Sequence, residues 1–177
     1  MKKIILVGGV AGTGKTSIAR RICQEYDIDH RIGTGFIREI VRCETKDKIL
    51  NCHTYRVDCD NPYNHLVKQA ELMKESINAC INRAHKEGTS LVIEGNHCLP
   101  WILENKNVTS AFILCVNDSR QHYEMVTGDT HKHRKMTEDE FGRIREMQEA
   151  IIFLAGKYNI PLVEFNDIKY VVDKLIV

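Results

Sequence analysis

The chain has 177 residues, 43% of them hydrophobic, and carries 25 Lys and Arg against 24 Asp and Glu. That is the length of one domain with one substantial core, and the near balance of charge excludes a protein built around non-specific nucleic-acid binding, though not a local basic patch. The apolar run in MKKIILVGGV breaks at Gly8 and Gly9, so it does not read as a secretory signal, and no apolar stretch approaches the roughly 20 residues of a membrane span.

Lys3 to Val7 is a short apolar run closed by glycines, the pattern of a buried parallel strand. Thr16 to Tyr26 then reads as a helix with Ile18, Ala19, Ile22 and Cys23 on one face, followed by a short strand at His30–Gly33 and a short helix at Phe36–Arg42. In that helix Phe36, Ile37, Ile40 and Val41 are the apolar positions. From Asn61 to Glu87, Leu66, Ala70, Met73, Ile77, Cys80, Ile81 and Ala84 recur at steps of three and four, which is one helix face, and Gly88 ends it. Ser90–Ile93 and Ala111–Val116 read as strands. Thr137 and Glu140 fit a capping box at the head of a helix carrying Phe141, Ile144, Met147, Ile151 and Leu154. Pro161–Phe165 reads as the last strand and Ile168–Val177 as a closing helix. Alternating strands and helices predict a parallel sheet of about five strands covered on both faces, a three-layer α/β/α arrangement with ligands at the carboxyl ends of the strands.

Gly9-Val10-Ala11-Gly12-Thr13-Gly14-Lys15-Thr16 matches GxxxxGK[ST] and sits between a predicted strand and a predicted helix, the context a phosphate-binding loop requires. Triphosphate oxygens need several N–H donors from one loop, and glycines let the backbone approach that closely. Gly9, Ala11, Gly12, Thr13, Gly14, Lys15, Thr16 and Ser17 are therefore the expected ATP-binding residues. Lys15 is expected on the β- and γ-phosphates and the Thr16 hydroxyl on Mg²⁺. The guanine-reading NKxD is absent, and the size suits a small kinase.

Leu91-Val92-Ile93-Glu94 delivers a carboxylate at a strand end, where Glu94 would either hold Mg²⁺, directly or through water, or take the acceptor proton. His97 follows in the same loop as a candidate for an anionic substrate. Thr34, Gly35 and Arg38 follow the second strand, and the Arg38 fork suits a phosphate or carboxylate on the acceptor. The basic run Thr130–Lys135 reads as part of a lid at about 119–136, lying between a strand and the capped helix, with Arg134 its leading arginine. The same run could touch a nucleic-acid backbone. The seven cysteines never form a CxxC pair and read as reduced thiols of a cytoplasmic protein, and neither His131/His133 nor Cys52, His53, Cys59 and His65 has a clean zinc spacing.

Taken together, GVAGTGKTSIAR, RIGTGFIREIVR, VIEGNHCLP and FGRIREMQEAIIFLAGKYNIPLVEFND resemble the 2-phosphoglycerate kinase group of P-loop kinases and, more distantly, zeta-toxin and polynucleotide kinases. The resemblance touches both ends and the middle of the chain. It implies one P-loop kinase domain over 1–177, ATP and Mg²⁺ on Lys15 and Thr16, an acceptor side at Arg38, Glu94 and His97, and Arg145 near the phosphates or substrate. Two positions depart from the family pattern. Gly35 stands where the family has Asp, and Met125 stands at the arginine of HxxRF, since His122 is followed by Tyr123, Glu124 and Met125. The implied reaction is transfer of the ATP γ-phosphate to a hydroxyl on a small phosphorylated acid such as 2-phosphoglycerate. The alternatives are a 5′-hydroxyl or hydroxymethylated base of a nucleic acid, or a non-catalytic nucleotide-binding regulator.

Overall fold

The computed structural model describes residues 2–56, 61–103, 105–128 and 135–167. Five strands, β1 (Ile4–Gly8), β2 (His30–Gly33), β3 (Leu91–Glu94), β4 (Ser110–Cys115) and β5 (Leu162–Glu164), form one sheet in the order β2-β3-β1-β4-β5. Every pairing is parallel. Six helices accompany it: α1 (Lys15–Glu25), α2 (Thr34–Thr45), α3 (Pro62–Glu87), α4 (Pro100–Leu103), α5 (Ser119–Thr127) and α6 (Glu138–Lys157).

The three layers can be read from β1 itself. Its side chains alternate across the sheet, as a pleated strand requires. Ile4 and Leu6 join a core with Leu66, Met73 and Ile77 of α3 and Ile144 and Met147 of α6. Ile5 and Val7 join a second core with Ile18 and Ile22 of α1 and with Val92, Phe112 and Leu114. Both faces of the central strands are thus dry, which explains why β1 and β3 are apolar runs with no polar alternation.

The long helix α3 is bounded as its sequence predicts. Asn61 caps it by accepting from the Asn64 N–H at 2.8 Å, and Gly88 turns the chain at φ 71°. The capping box of α6 is present in full, with Thr137 N–H donating to Glu140 at 2.9 Å and Glu140 N–H donating to Thr137 at 3.2 Å. Two elements carry detail that the sequence reading did not. Residues 119–127, read as the start of a lid directly after a strand, form helix α5, capped by Asp118, which accepts from the Gln121 N–H. On α2, Ile37 and Val41 are buried while Phe36 and Ile40 face solvent, because α3 covers only one side of the helix. The closing helix expected at Ile168–Val177 lies outside the described residues.

The register brings three strand ends to one level: Val7 and Gly33 both pair with Glu94. The loops that leave β1, β2 and β3 therefore open into a shared space, where ligands bind in open parallel sheets.

Candidate active site

The loop after β1 bends through left-handed backbone at Gly9 (φ 130°), Gly12 (φ 82°) and Gly14 (φ 83°). Close packing from behind demands glycine as much as any ligand would. A Cβ on Gly9 would lie 2.5 Å from the Leu114 carbonyl, one on Gly12 would run into Val126 and His122 of α5, and one on Gly14 would lie 2.9 Å from the Phe165 ring. Lys15 opens α1 with its side chain buried, and its Nζ donates to the Val10 carbonyl, which also accepts from the Thr13 hydroxyl at 3.1 Å.

A cavity of about 580 Å³ lies over this loop. Ala11, Gly12, Gly14, Lys15, Thr16 and Ser17 line it, while Gly9 and Thr13 shape the loop from beneath. Thr16 and Glu94 meet there: the Thr16 hydroxyl donates to Glu94 Oε1 at 3.1 Å. The contact spends the Thr16 proton and leaves its oxygen lone pairs available to a cation. Arg31 Nη1 reaches the same carboxylate oxygen at 3.4 Å, from β2. A hydroxyl and a carboxylate side by side are the hard oxygen donors that Mg²⁺ takes.

At the other end of the cavity α2 supplies Thr34, Gly35 and Arg38. Buried His97 bridges two elements: its Nδ1 is 3.1 Å from Thr34 Oγ1 and its Nε2 is 3.0 Å from Gln69 Oε1. The Gln69 amide nitrogen donates to the Cys52 carbonyl, so Gln69 oxygen is the acceptor, His97 carries its proton on Nε2, and the Thr34 hydroxyl donates to Nδ1. Burial, reinforced by the charges of Arg38 and Lys15, pushes the His97 pKa down to about 3 and keeps the ring neutral. Both ring nitrogens are spent inside the protein. The geometry thus makes His97 a brace for Thr34 and Gln69, in place of the expected direct contact with an anion. Gly95 belongs to the same knot, because a Cβ there would fall on the Thr34 side chain.

Arg38 is nine-tenths buried. Its Nη1 donates to the Cys52 carbonyl at 3.3 Å and lies 3.4 Å from His53 Nδ1, and its Nη2 donates to Glu39 at 3.0 Å. Its buried Nε has no hydrogen-bond partner among the described residues.

Arg145 is placed differently from the expectation. It does not line the cavity: its Nη1 donates to the Val116 carbonyl at 2.6 Å and its Nη2 to the Asn117 carbonyl at 3.2 Å. Its Nη1 is also 3.3 Å from His122 Nδ1, and His122 Nε2 donates to the Ala11 carbonyl at 2.8 Å. Burial pushes the His122 pKa down to about 4, so the neutral ring accepts from Arg145 and donates to the loop. Arg145 therefore acts through His122, steadying the phosphate loop from behind. Arg134 and the basic run up to it lie outside the described residues. Among the described residues no group of His, Cys, Asp and Glu could hold a metal by itself, and no helix is long and apolar enough to cross a membrane.

Sequence reasoning passed over Arg31, Gln69 and the bracing role of His122. Gln69 had a signal, being a polar residue on the apolar stripe of α3 beside Leu66 and Ala70. Arg31 had none, since a polar side chain on an edge strand is ordinary.

No family model matches the chain. Among curated proteins it is similar to the 2-phosphoglycerate kinases of Pyrococcus horikoshii (28% identity, 97% of this chain), Methanothermobacter thermautotrophicus (27%, 98%) and Methanocaldococcus jannaschii (29%, 97%). It spans about three fifths of the length of these relatives, 62%, 64% and 61% respectively. Among solved structures, shikimate kinase from Acinetobacter baumannii superposes with a TM-score of 0.56 at 13% identity, covering 97% of this chain and 91% of that one. An uncharacterised protein from Eubacterium ventriosum superposes at 0.52 and 14% identity, covering 98% of this chain and 99% of that one. The chain has the three-layer α/β/α fold of P-loop kinases and resembles the 2-phosphoglycerate kinase group along nearly its whole length.

Proposed function

We propose that the chain is an ATP-dependent phosphotransferase acting on a hydroxyl group. The observation that carries this is the 3.1 Å contact between Thr16 of the phosphate loop and Glu94 at the end of β3, inside the cavity. A carboxylate at this place can hold Mg²⁺ or take an acceptor proton, and only the second role is one that a non-catalytic regulator would not need. The acceptor hydroxyl oxygen attacks the γ-phosphorus, the bond from that phosphorus to the β–γ bridging oxygen breaks, and ADP leaves. Lys15 follows the charge on the transferred group, and Glu94 receives the hydroxyl proton. Mg²⁺, held by the Thr16 oxygen and by Glu94 directly or through water, would neutralise phosphate charge. Arg38 offers its fork to an anionic group on the acceptor.

The names of the relatives make 2-phosphoglycerate the first acceptor of this reading. A second reading, a hydroxyl on a nucleic acid or a hydroxymethylated base, is favoured by Gly35, where an added Cβ would find no atom within 4 Å. Transfer of label from γ-labelled ATP with Mg²⁺ tests both, with one panel of small hydroxy acids, sugars and nucleosides and another of DNA and RNA, including strands with 5′-hydroxyls and hydroxymethylated pyrimidines. Label that appears on any acceptor and disappears in Lys15→Ala supports phosphotransfer. Label on no acceptor, with ATP binding intact, turns the reading toward a regulator.

A further inference from the structure

The acceptor end of the cavity has more surface than a three-carbon acid can use. Phe36 lines the cavity with 76% of its surface exposed, beside the empty space at Gly35. Covering that ring would remove apolar surface from water, and here that gain is left unused at the rim of a binding site. A second aromatic surface is held in place nearby. His53 also lines the cavity, stacked on the buried Tyr55 ring at 5.4 Å between centroids and 10° between planes. Arg38 Nη1, 3.4 Å from His53 Nδ1, fixes the orientation of that imidazole. Arg38 in turn lines the cavity with a guanidinium that is nine-tenths buried. The Arg38 charge in the cavity wall suits an anion, and a flat, largely apolar body would cover Phe36 and His53 as well.

We propose that the acceptor is a phosphate joined to a planar heterocycle, a nucleotide either free or within a strand, with its phosphate on Arg38 and its ring against Phe36 and His53. The inference rests on the phosphotransferase reading and narrows its acceptor, choosing the second acceptor class over the first. It uses no residue of the nucleotide loop, so the two can fail separately.

The experiment is calorimetric binding to the full chain with the ATP site saturated by Mg·ADP. The probes are thymidine 5′-monophosphate, a short oligothymidylate and 2-phosphoglycerate. Each is measured on the wild type and on Phe36→Ala, whose exposed site leaves the fold intact and whose ADP affinity reports that it has. At least one thymidylate should bind about tenfold more tightly than 2-phosphoglycerate. Phe36→Ala should weaken that binding by roughly five- to tenfold, the lower range for one ring stacked on one base, with 2-phosphoglycerate and ADP unchanged. Tighter binding of the mononucleotide assigns a free nucleotide, and tighter binding of the oligomer assigns a strand. The proposal is overturned if 2-phosphoglycerate binds as tightly as both thymidylates, or if Phe36→Ala leaves thymidylate affinity where it was. ADP affinity that survives Lys15→Ala would overturn the phosphotransferase reading instead.

Discussion

The two ends of the cavity are built in opposite ways. At the nucleotide end most of the lining comes from one stretch, Ala11–Ser17, shaped by three glycines with positive φ and a helix start, with Val126 and Phe165 packed against it. At the acceptor end Thr34 and Arg38 come from α2, His53 from the segment after it, Gln69 from α3 and His97 from the loop after β3. The first end is a local device that a strand–loop–helix can carry, suited to phosphate groups whatever they are attached to. The second exists only once four segments have packed, and its chemistry is free to drift while the first stays fixed. Substrate identity in such a fold is therefore a tertiary property, and the predictions below set one end against the other.

The largest effect belongs to the nucleotide end. Lys15→Ala should lower phosphate transfer by about a thousandfold, the size of losing a charge aimed at the transition state, and should do so for every acceptor alike. If the loss differs between acceptors, the two ends are not separable. Glu94 stands between them, touching Thr16 on one side and Arg31 on the other. Glu94→Gln should cost on the order of a hundredfold in kcat with ADP affinity kept. A shift confined to the Mg²⁺ requirement would assign Glu94 to the metal alone.

The nucleotide end and the core were legible in the sequence because both are written in local patterns. The continuous apolar run of β1 closed by glycines, steps of three and four in α3, and the Thr137–Glu140 box carry their own geometry. Helix α5 was not legible, since only His122 and Val126 of its residues are buried and no apolar stripe marks it. Nor could the sequence sort the four apolar positions of α2: only the side on which α3 packs decides that Ile37 and Val41 are the buried pair and that Phe36 and Ile40 are exposed. Arg145 looked like a phosphate contact because IREMQ resembles a family segment, but the carbonyls of Val116 and Asn117 claim its guanidinium. Partners that lie far apart in the chain leave no spacing to read.

Each end also holds one buried neutral histidine, His122 beneath the loop and His97 behind Thr34. Their pKa values, pushed to about 4 and about 3 by burial, lie below the 6.5 of a free histidine. Between those values and 6.5 the unfolded chain binds more protons than the folded one, so stability is full above pH 6.5 and falls as pH drops toward 4. At pH 5 each histidine should cost about 2 kcal/mol relative to neutral pH, read as a fall in the urea midpoint. His122→Asn should remove about half of that pH dependence and raise the KM for ATP. His97→Asn should remove the other half and raise the KM for the acceptor. A pH dependence that neither variant changes would place the titration elsewhere.

The smallest effect is the sharpest test of the acceptor end. Gly35 is the second residue of α2, in ordinary helical backbone, with no atom of the described residues within 4 Å of where a Cβ would sit. Nothing in the folded chain requires glycine there, and replacing it by alanine reduces the freedom of the unfolded chain. Gly35→Ala should stabilise the protein by about 0.4–1 kcal/mol, a rise of roughly 1–4 °C in Tm, with the KM for ATP unchanged. The methyl group would project into space that lines the cavity, so the KM for the acceptor should rise. A stability gain together with weaker acceptor binding means that the glycine is kept for a ligand at a cost to the fold. A loss of stability would mean that the backbone needs it, and the space beside Phe36 would then be a by-product of packing.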